Sequence, residues 1–110
     1  MEITIQTQDA IHVALIAGDI DANTAPTVTE QILPLVESNG KILLDMTQVA
    51  YMSSAGLRML LSLYRQAAAQ ATQLVLVGLS EDVQDTMAVT GFLDFFKVAN
   101  SLDEGRQLLS

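Results

Sequence analysis

Apolar and polar positions change period several times along this chain, and each change marks an element. Residues 2–7 (Glu-Ile-Thr-Ile-Gln-Thr) alternate, with Ile3 and Ile5 on one face, and Ile11, Val13 and Leu15 repeat the alternation after Gln8-Asp9-Ala10. Alternation at period two on both sides of a turn-forming break predicts an antiparallel hairpin. His12 falls on the face opposite Ile11 and Val13, as a satisfied or solvent-facing strand residue. From Thr24 the period becomes helical. Val28, Ile32, Leu35 and Val36 form the apolar stripe, Thr24 stands at the N-cap, and Pro26 occupies the first turn, where a missing N–H costs little. Pro34 predicts a kink or an early end, because inside a helix it removes a hydrogen bond and crowds the preceding turn. Asn39-Gly40 closes the segment.

Two short apolar runs, Lys41 to Asp45 and Leu74-Val75-Leu76-Val77 bounded by Gly78, read as interior strands. Between them the spacing predicts a helix over about 54–70, with Leu57, Leu60, Leu61, Tyr64 and Ala68 inward and Arg58, Ser62 and Arg65 outward. Ser80-Glu81-Asp82 supplies a cap and first-turn acids for a helix carrying Val83, Met87 and Thr90 inward and stopped by Gly91. Phe92, Leu93, Phe95 and Phe96 then predict a core plug, with a short edge strand near Phe96 to Val98. Ser101 and Glu104 have the spacing of a capping box, opening a short helix with Leu102 and Leu109 seven residues apart and weakened by Gly105. Strands alternating with helices after an opening hairpin predict an α/β domain. Its mixed sheet should have four to five strands and about four helices, which cover mainly one sheet face.

Composition narrows the function classes. At 110 residues, half of them hydrophobic, the chain fits one domain spanning 1–110, and no repeat or linker divides it. Thirteen acids against five basic residues give a net charge of −8, which repels nucleic acid and anionic membrane surfaces. The absence of cysteine excludes disulfides, thiolate metal sites and cysteine nucleophiles. No apolar run is long enough to span a bilayer, and Met1-Glu2 lacks the basic start of a signal peptide, so a soluble cytoplasmic protein without membrane insertion is expected.

The stretch Met52-Ser53-Ser54-Ala55-Gly56 remains to be explained, since an acid-terminated strand ends just before it and a helix begins within it. A hydroxyl at that position caps free backbone N–H groups, and if phosphorylated it brings negative charge to the positive end of the macrodipole. Both roles are open to either serine. Tyr51 and Met52 add apolar contact area beside them, and the Asp19–Asn23 loop is expected on the same surface. Hydrolase chemistry is not expected, because the serines lie outside Gly-x-Ser-x-Gly and His12 is the single imidazole. A phosphate loop is absent, since Gly-Lys-Ser/Thr does not follow any glycine cluster. The acid pairs Asp19/Asp21 and Glu81/Asp82 sit where loops and first helical turns ordinarily place acids, so neither a metal site nor a cofactor is inferred.

Three segments together resemble the STAS domains of bacterial anti-sigma factor antagonists. Gly18-Asp-Ile-Asp21-Ala is similar to the family's Gly-Glu-Leu-Asp loop, Leu44 to Leu57 resembles its strand and signature loop, and Thr90-Gly-Phe-Leu-Asp94 matches the close of its third helix. The resemblance covers nearly the whole chain. Aligning the signature Asp-Ser-Ser/Thr-Gly on Gly56 puts the phosphoacceptor at Ser54, with Ser53 at the acid position and Ala55 at the following hydroxyl. It implies a partner surface of Asp21, Asn23, Ser53, Ser54, Ala55, Gly56 and Arg58. The implied function is a binding switch, not an enzyme. Unphosphorylated protein would bind an anti-sigma factor that is also a serine-protein kinase, phosphorylation at Ser54 would end binding, and a PP2C-type serine phosphatase would restore it. A non-phosphorylated STAS subunit of a transport-associated or larger signalling complex is the alternative, motivated by Ser53 and Ala55. A small-molecule sensor rests on fold analogy alone.

Overall fold

The computed structural model describes residues 1–109, in five strands and four helices. The order is β1 (Glu2–Gln8), β2 (Ile11–Ala17), α1 (Ala25–Ile32), β3 (Lys41–Gln48), α2 (Ser54–Ala69), β4 (Gln73–Val77), α3 (Glu81–Val89), β5 (Lys97–Ala99) and α4 (Leu102–Leu108). Strands lie in the sheet in sequence order, β1 antiparallel to β2 and the remaining neighbours parallel. Crossovers that advance in one direction with one hand leave their helices on one face, so α1, α2 and α3 share a core with that face. The chain is thus the expected α/β domain with a mixed sheet and an opening hairpin.

The interior is two-sided. On the helical face Ala14, Ile16, Ile42, Leu44, Leu74 and Leu76 meet Val28, Leu60, Leu63 and Met87. On the other, Leu43, Val75, Val77 and Ala99 lie under α4 and Leu109. Covering β3 and β4 on both faces explains why they read as unbroken apolar runs instead of alternating ones. Gly105 takes a different meaning here. It is buried, and an added Cβ would lie 2.9 Å from Leu43 Cδ2, so its lost helix propensity is offset by the close approach of α4 to the sheet.

Local signals explain most element ends. Asp9 and Ala10, at φ of 54° and 64°, form the two-residue turn of the hairpin. α1 stops at Ile32, and a 3-10 turn over Leu33–Leu35 carries Pro34, the early end that its ring requires. Ser80 caps α3 by accepting from Val83 N–H, Gly91 ends it at φ 79°, and Ser101 caps α4 by accepting from Glu104 N–H.

Several packing expectations need correction. Ile3 and Ile5 pair across the hairpin with Ile16 and Ala14 on the main-core face, whereas Ile11 and Val13 pack on the α4 side. His12 meets its expectation as a satisfied strand residue: its ring contacts Thr7 Oγ1 at 2.7 Å and Glu37 Oε1 at 3.3 Å. The buried stripe of α2 is Leu57, Leu60, Leu63 and Ala67, rotated from the expected one; Ala68 is exposed, and Tyr64 is half-buried against Phe95 and Phe96. Both stripes fit a 3.6-residue period from Leu57, so spacing alone does not separate them. Thr90 is exposed and bonds Thr86 and Met87 carbonyls instead of turning inward. Phe95 is 48% exposed, so the aromatic cluster is only partly a core plug.

Candidate functional site

At the carboxyl ends of β2 and β3 two loops are joined through Ile20. Its N–H donates to the Tyr51 carbonyl at 3.0 Å, and its own carbonyl accepts from Ser53 N–H at 2.8 Å. Ile20 also forms a parallel bridge with Met52, and its side chain is fully buried. Gly18 N–H donates to the Gln48 carbonyl at 3.1 Å, which ties the loop's other end to β3. The Asp19–Asn23 loop and the serine pair therefore form one surface through backbone bonds and a buried anchor.

Asp21 shapes the first loop. Its Oδ1 accepts from the N–H groups of Asn23 at 2.9 Å and Thr24 at 3.1 Å, while its carbonyl accepts from Ala25 N–H at 2.8 Å. Thr24, expected as the N-cap of α1, does not cap with its side chain. Its backbone is already helical, and its hydroxyl turns back to donate to the Asp19 carbonyl at 2.8 Å and accept from Asp21 N–H at 2.9 Å. Asp21 thus closes an Asx-type turn onto the N–H groups of Asn23 and Thr24, immediately before α1. Asp21→Ala should cost about 0.5–2 kcal/mol in urea unfolding and speed amide exchange at Asn23 and Thr24. Asp21→Asn, which keeps an acceptor oxygen, should retain most of both.

The two serines separate by geometry. Ser53 has extended backbone, φ −78° and ψ 175°, and its Oγ accepts from Gly56 N–H at 3.3 Å, while its carbonyl accepts the first helical bond from Leu57. It is the N-cap of α2. Ser54 is the first helical residue, exposed, with no hydrogen bond through its hydroxyl among the described residues. Arg58, one turn along α2, is also exposed and has no ion-pair partner among the described residues. Asn23 is exposed and Ala55 half-buried.

Gly56 is buried, so it shapes this surface instead of presenting a group to a partner. A Cβ there would stand 2.6 Å from Met52 Cγ and 3.0 Å from the Ile20 carbonyl oxygen. Met52, expected as exposed contact area, is 5% exposed and belongs to the core; Tyr51 alone, at 55%, offers its side chain to solvent. Between α1 and α2 an open groove of about 400 Å³ begins at Ala55 and Arg58 and continues past Ala22, Ala25, Pro26 and Met59. Sequence reading missed this groove and the anchoring role of Ile20. The small residues Ala22, Ala25 and Ala55 are its only local signal, and nothing in their spacing shows that they face one another.

No helix among the described residues is long and apolar enough to cross a membrane. The STAS domain family model matches residues 2–105. The anti-sigma-B factor antagonist of Listeria monocytogenes is 33% identical over 102 residues, covering 91% of this chain and 90% of that protein. The protein of the same name in Bacillus subtilis is 30% identical over 92 residues, covering 84% of each. An anti-sigma factor antagonist from Mycobacterium paratuberculosis shares the fold, with a TM-score of 0.86 at 21% identity, over 98% of this chain and 92% of that one. The Bacillus cell fate determinant SpoIIAA in its phosphorylated form also shares it, with a TM-score of 0.74 at 14% identity, over 99% and 100%. The family model and the 33% and 30% identical relatives each span most of the sequence: the chain belongs to the STAS domain family.

Proposed function

We propose that this protein is an anti-sigma factor antagonist whose partner binding is switched off by phosphorylation at Ser54. Unphosphorylated, it binds an anti-sigma factor that is also a serine-protein kinase and so frees the sigma factor; a PP2C-type serine phosphatase reverses the modification. It acts in the cytoplasm, as a substrate and binding module rather than an enzyme. The names carried by its 33% and 30% identical relatives support the antagonist role.

The observation that carries the switch is the division of labour between neighbouring serines. Ser53 caps α2, leaving the Ser54 hydroxyl exposed and without a hydrogen bond among the described residues. A phosphate on Ser54 would add about −1.5 to −2 charges without removing the cap. At the first turn of a 16-residue helix, with Arg58 four residues on, that charge is favourable to the helix by roughly 0.3–1 kcal/mol. The domain therefore stays folded while the surface becomes more negative.

The serines should separate experimentally. With a kinase-type anti-sigma factor from the same genome and ATP, mass spectrometry should find one phosphate on the wild type and on Ser53→Ala, and none on Ser54→Ala. Unfolding should show the opposite order: Ser53→Ala loses about 0.5–2 kcal/mol, and Ser54→Ala changes little. Phosphate transferred to Ser54→Ala as readily as to wild type would exclude this acceptor.

A further inference from the structure

The sheet has two unlike edges. β5 has only three residues and begins at the exposed Lys97, so it is too short and too charged to recruit another strand readily. β1 has seven residues, and it contains no proline, lysine or arginine; its pairing with β2 runs without a bulge. Its one charge is Glu2, at the end, in a chain of net charge −8. None of the usual protections of a free edge is present on it.

The hairpin register states which backbone groups are free. Across a two-residue turn with positive φ at both positions, Gln8 and Ile11 form the closing hydrogen-bonded pair. Alternate pairs follow, Gln6 with Val13, Thr4 with Leu15 and Glu2 with Ala17. Ile3, Ile5 and Thr7 consequently direct both N–H and C=O away from the sheet, and the side chains of Ile3 and Ile5 are only half-buried.

We propose that β1 pairs antiparallel with β1 of a second copy of this chain, about a two-fold axis at Ile5, to make one continuous sheet. In that register Ile5 faces its own copy and Ile3 faces Thr7, and each pair exchanges both backbone bonds. On the opposite face Thr4 meets Gln6 and Glu2 meets Gln8, so no like charges oppose. A second copy is the occupant that fits, because the palindromic register pairs every outward group and buries Ile5 against Ile5. The net charge of the two chains opposes association at long range, so added salt should strengthen the dimer.

The cysteine-free sequence permits a register test. Across the axis the Cα atoms of residue 5 would be about 5.5 Å apart, within disulfide range. Those of residue 7 would be roughly 14 Å apart, out of range. Under mild oxidation, Ile5→Cys should form a covalent dimer at least about tenfold faster than Thr7→Cys. On the unaltered protein, raising the concentration until most chains pair should slow amide exchange at Ile3, Ile5 and Thr7 by about tenfold, with no change at Thr4 and Gln6. Equal crosslinking rates overturn the proposal, as does exchange at those three amides that is independent of concentration. If Ile5→Cys does not fold, the exchange experiment decides alone.

Discussion

Gly56→Ala will lower the stability of this domain by about 1–3 kcal/mol, and it will weaken partner binding although it alters no exposed group. The added Cβ would meet Met52 Cγ at 2.6 Å, Ile20 Cγ2 at 2.9 Å and the Ile20 carbonyl oxygen at 3.0 Å. Relief is difficult. Ile20 and Met52 are 0% and 5% exposed, and the same Ile20 carbonyl accepts the Ser53 N–H that joins the two loops. Any movement that admits the methyl therefore shifts the Asp19–Asn23 loop relative to the start of α2. In thermal unfolding the cost corresponds to roughly a 5–15 °C fall in Tm for a domain of this size. An alanine variant with wild-type Tm and wild-type partner affinity would show that this contact does not hold the surface together.

Ser54→Asp is expected to have the larger effect on binding and a small one on folding. The substitution places a negative charge on an exposed first-turn position, where the helix tolerates or favours it. A partner that approaches the Ser54 hydroxyl closely would have to desolvate that charge or face it with its own acids. Loss of such complementarity should weaken the anti-sigma factor complex by about 10–100-fold, or ~1.4–2.7 kcal/mol. Circular dichroism and urea midpoint should stay at wild-type values. Wild-type affinity in Ser54→Asp would remove electrostatic exclusion as the switching mechanism.

How far the chain could be read varied with the range of the forces involved. Where a property is set within a few residues, the sequence was legible. Pro34 ended α1, and Ser80 and Gly91 bounded α3, whereas the choice of Ser53 over Ser54 as the cap of α2 came only with the structure. Thr24 misled for the same local reason: it is a good cap type at the right place, yet its hydroxyl is held by the Asp19 carbonyl and the Asp21 N–H in a turn that residue preference does not encode. Properties fixed by distant packing were less visible. Leu63 and Leu61 fit helical stripes equally well, and only packing against the sheet and α1 in the main core distinguishes the buried one. Met52 looked like contact surface because its neighbour Tyr51 is, whereas the bridge to Ile20 turns it into the core. The weakness of Gly105 in a helix became intelligible only with Leu43 and Val77 beneath it.

The candidate site shows the same division. Family resemblance proposed Asp21, Asn23, Ser53, Ser54, Ala55, Gly56 and Arg58 as the partner surface, and the fold joins the two segments that carry them through Ile20. The groove between α1 and α2 depends on the angle at which those helices pack, which no spacing rule supplies. Under the proposed switch, its apolar lining at Ala22, Ala25 and Ala55 would give a partner something to bury, next to the hydroxyl at which phosphorylation would end the contact.

The most direct test is calorimetric titration of a kinase-type anti-sigma factor from the same genome with this protein, prepared once unphosphorylated and once stoichiometrically phosphorylated at Ser54. The account predicts saturable binding of the first form and affinity at least about 100-fold lower for the second, ~2.7 kcal/mol or more. Equal affinity of the two forms would contradict it.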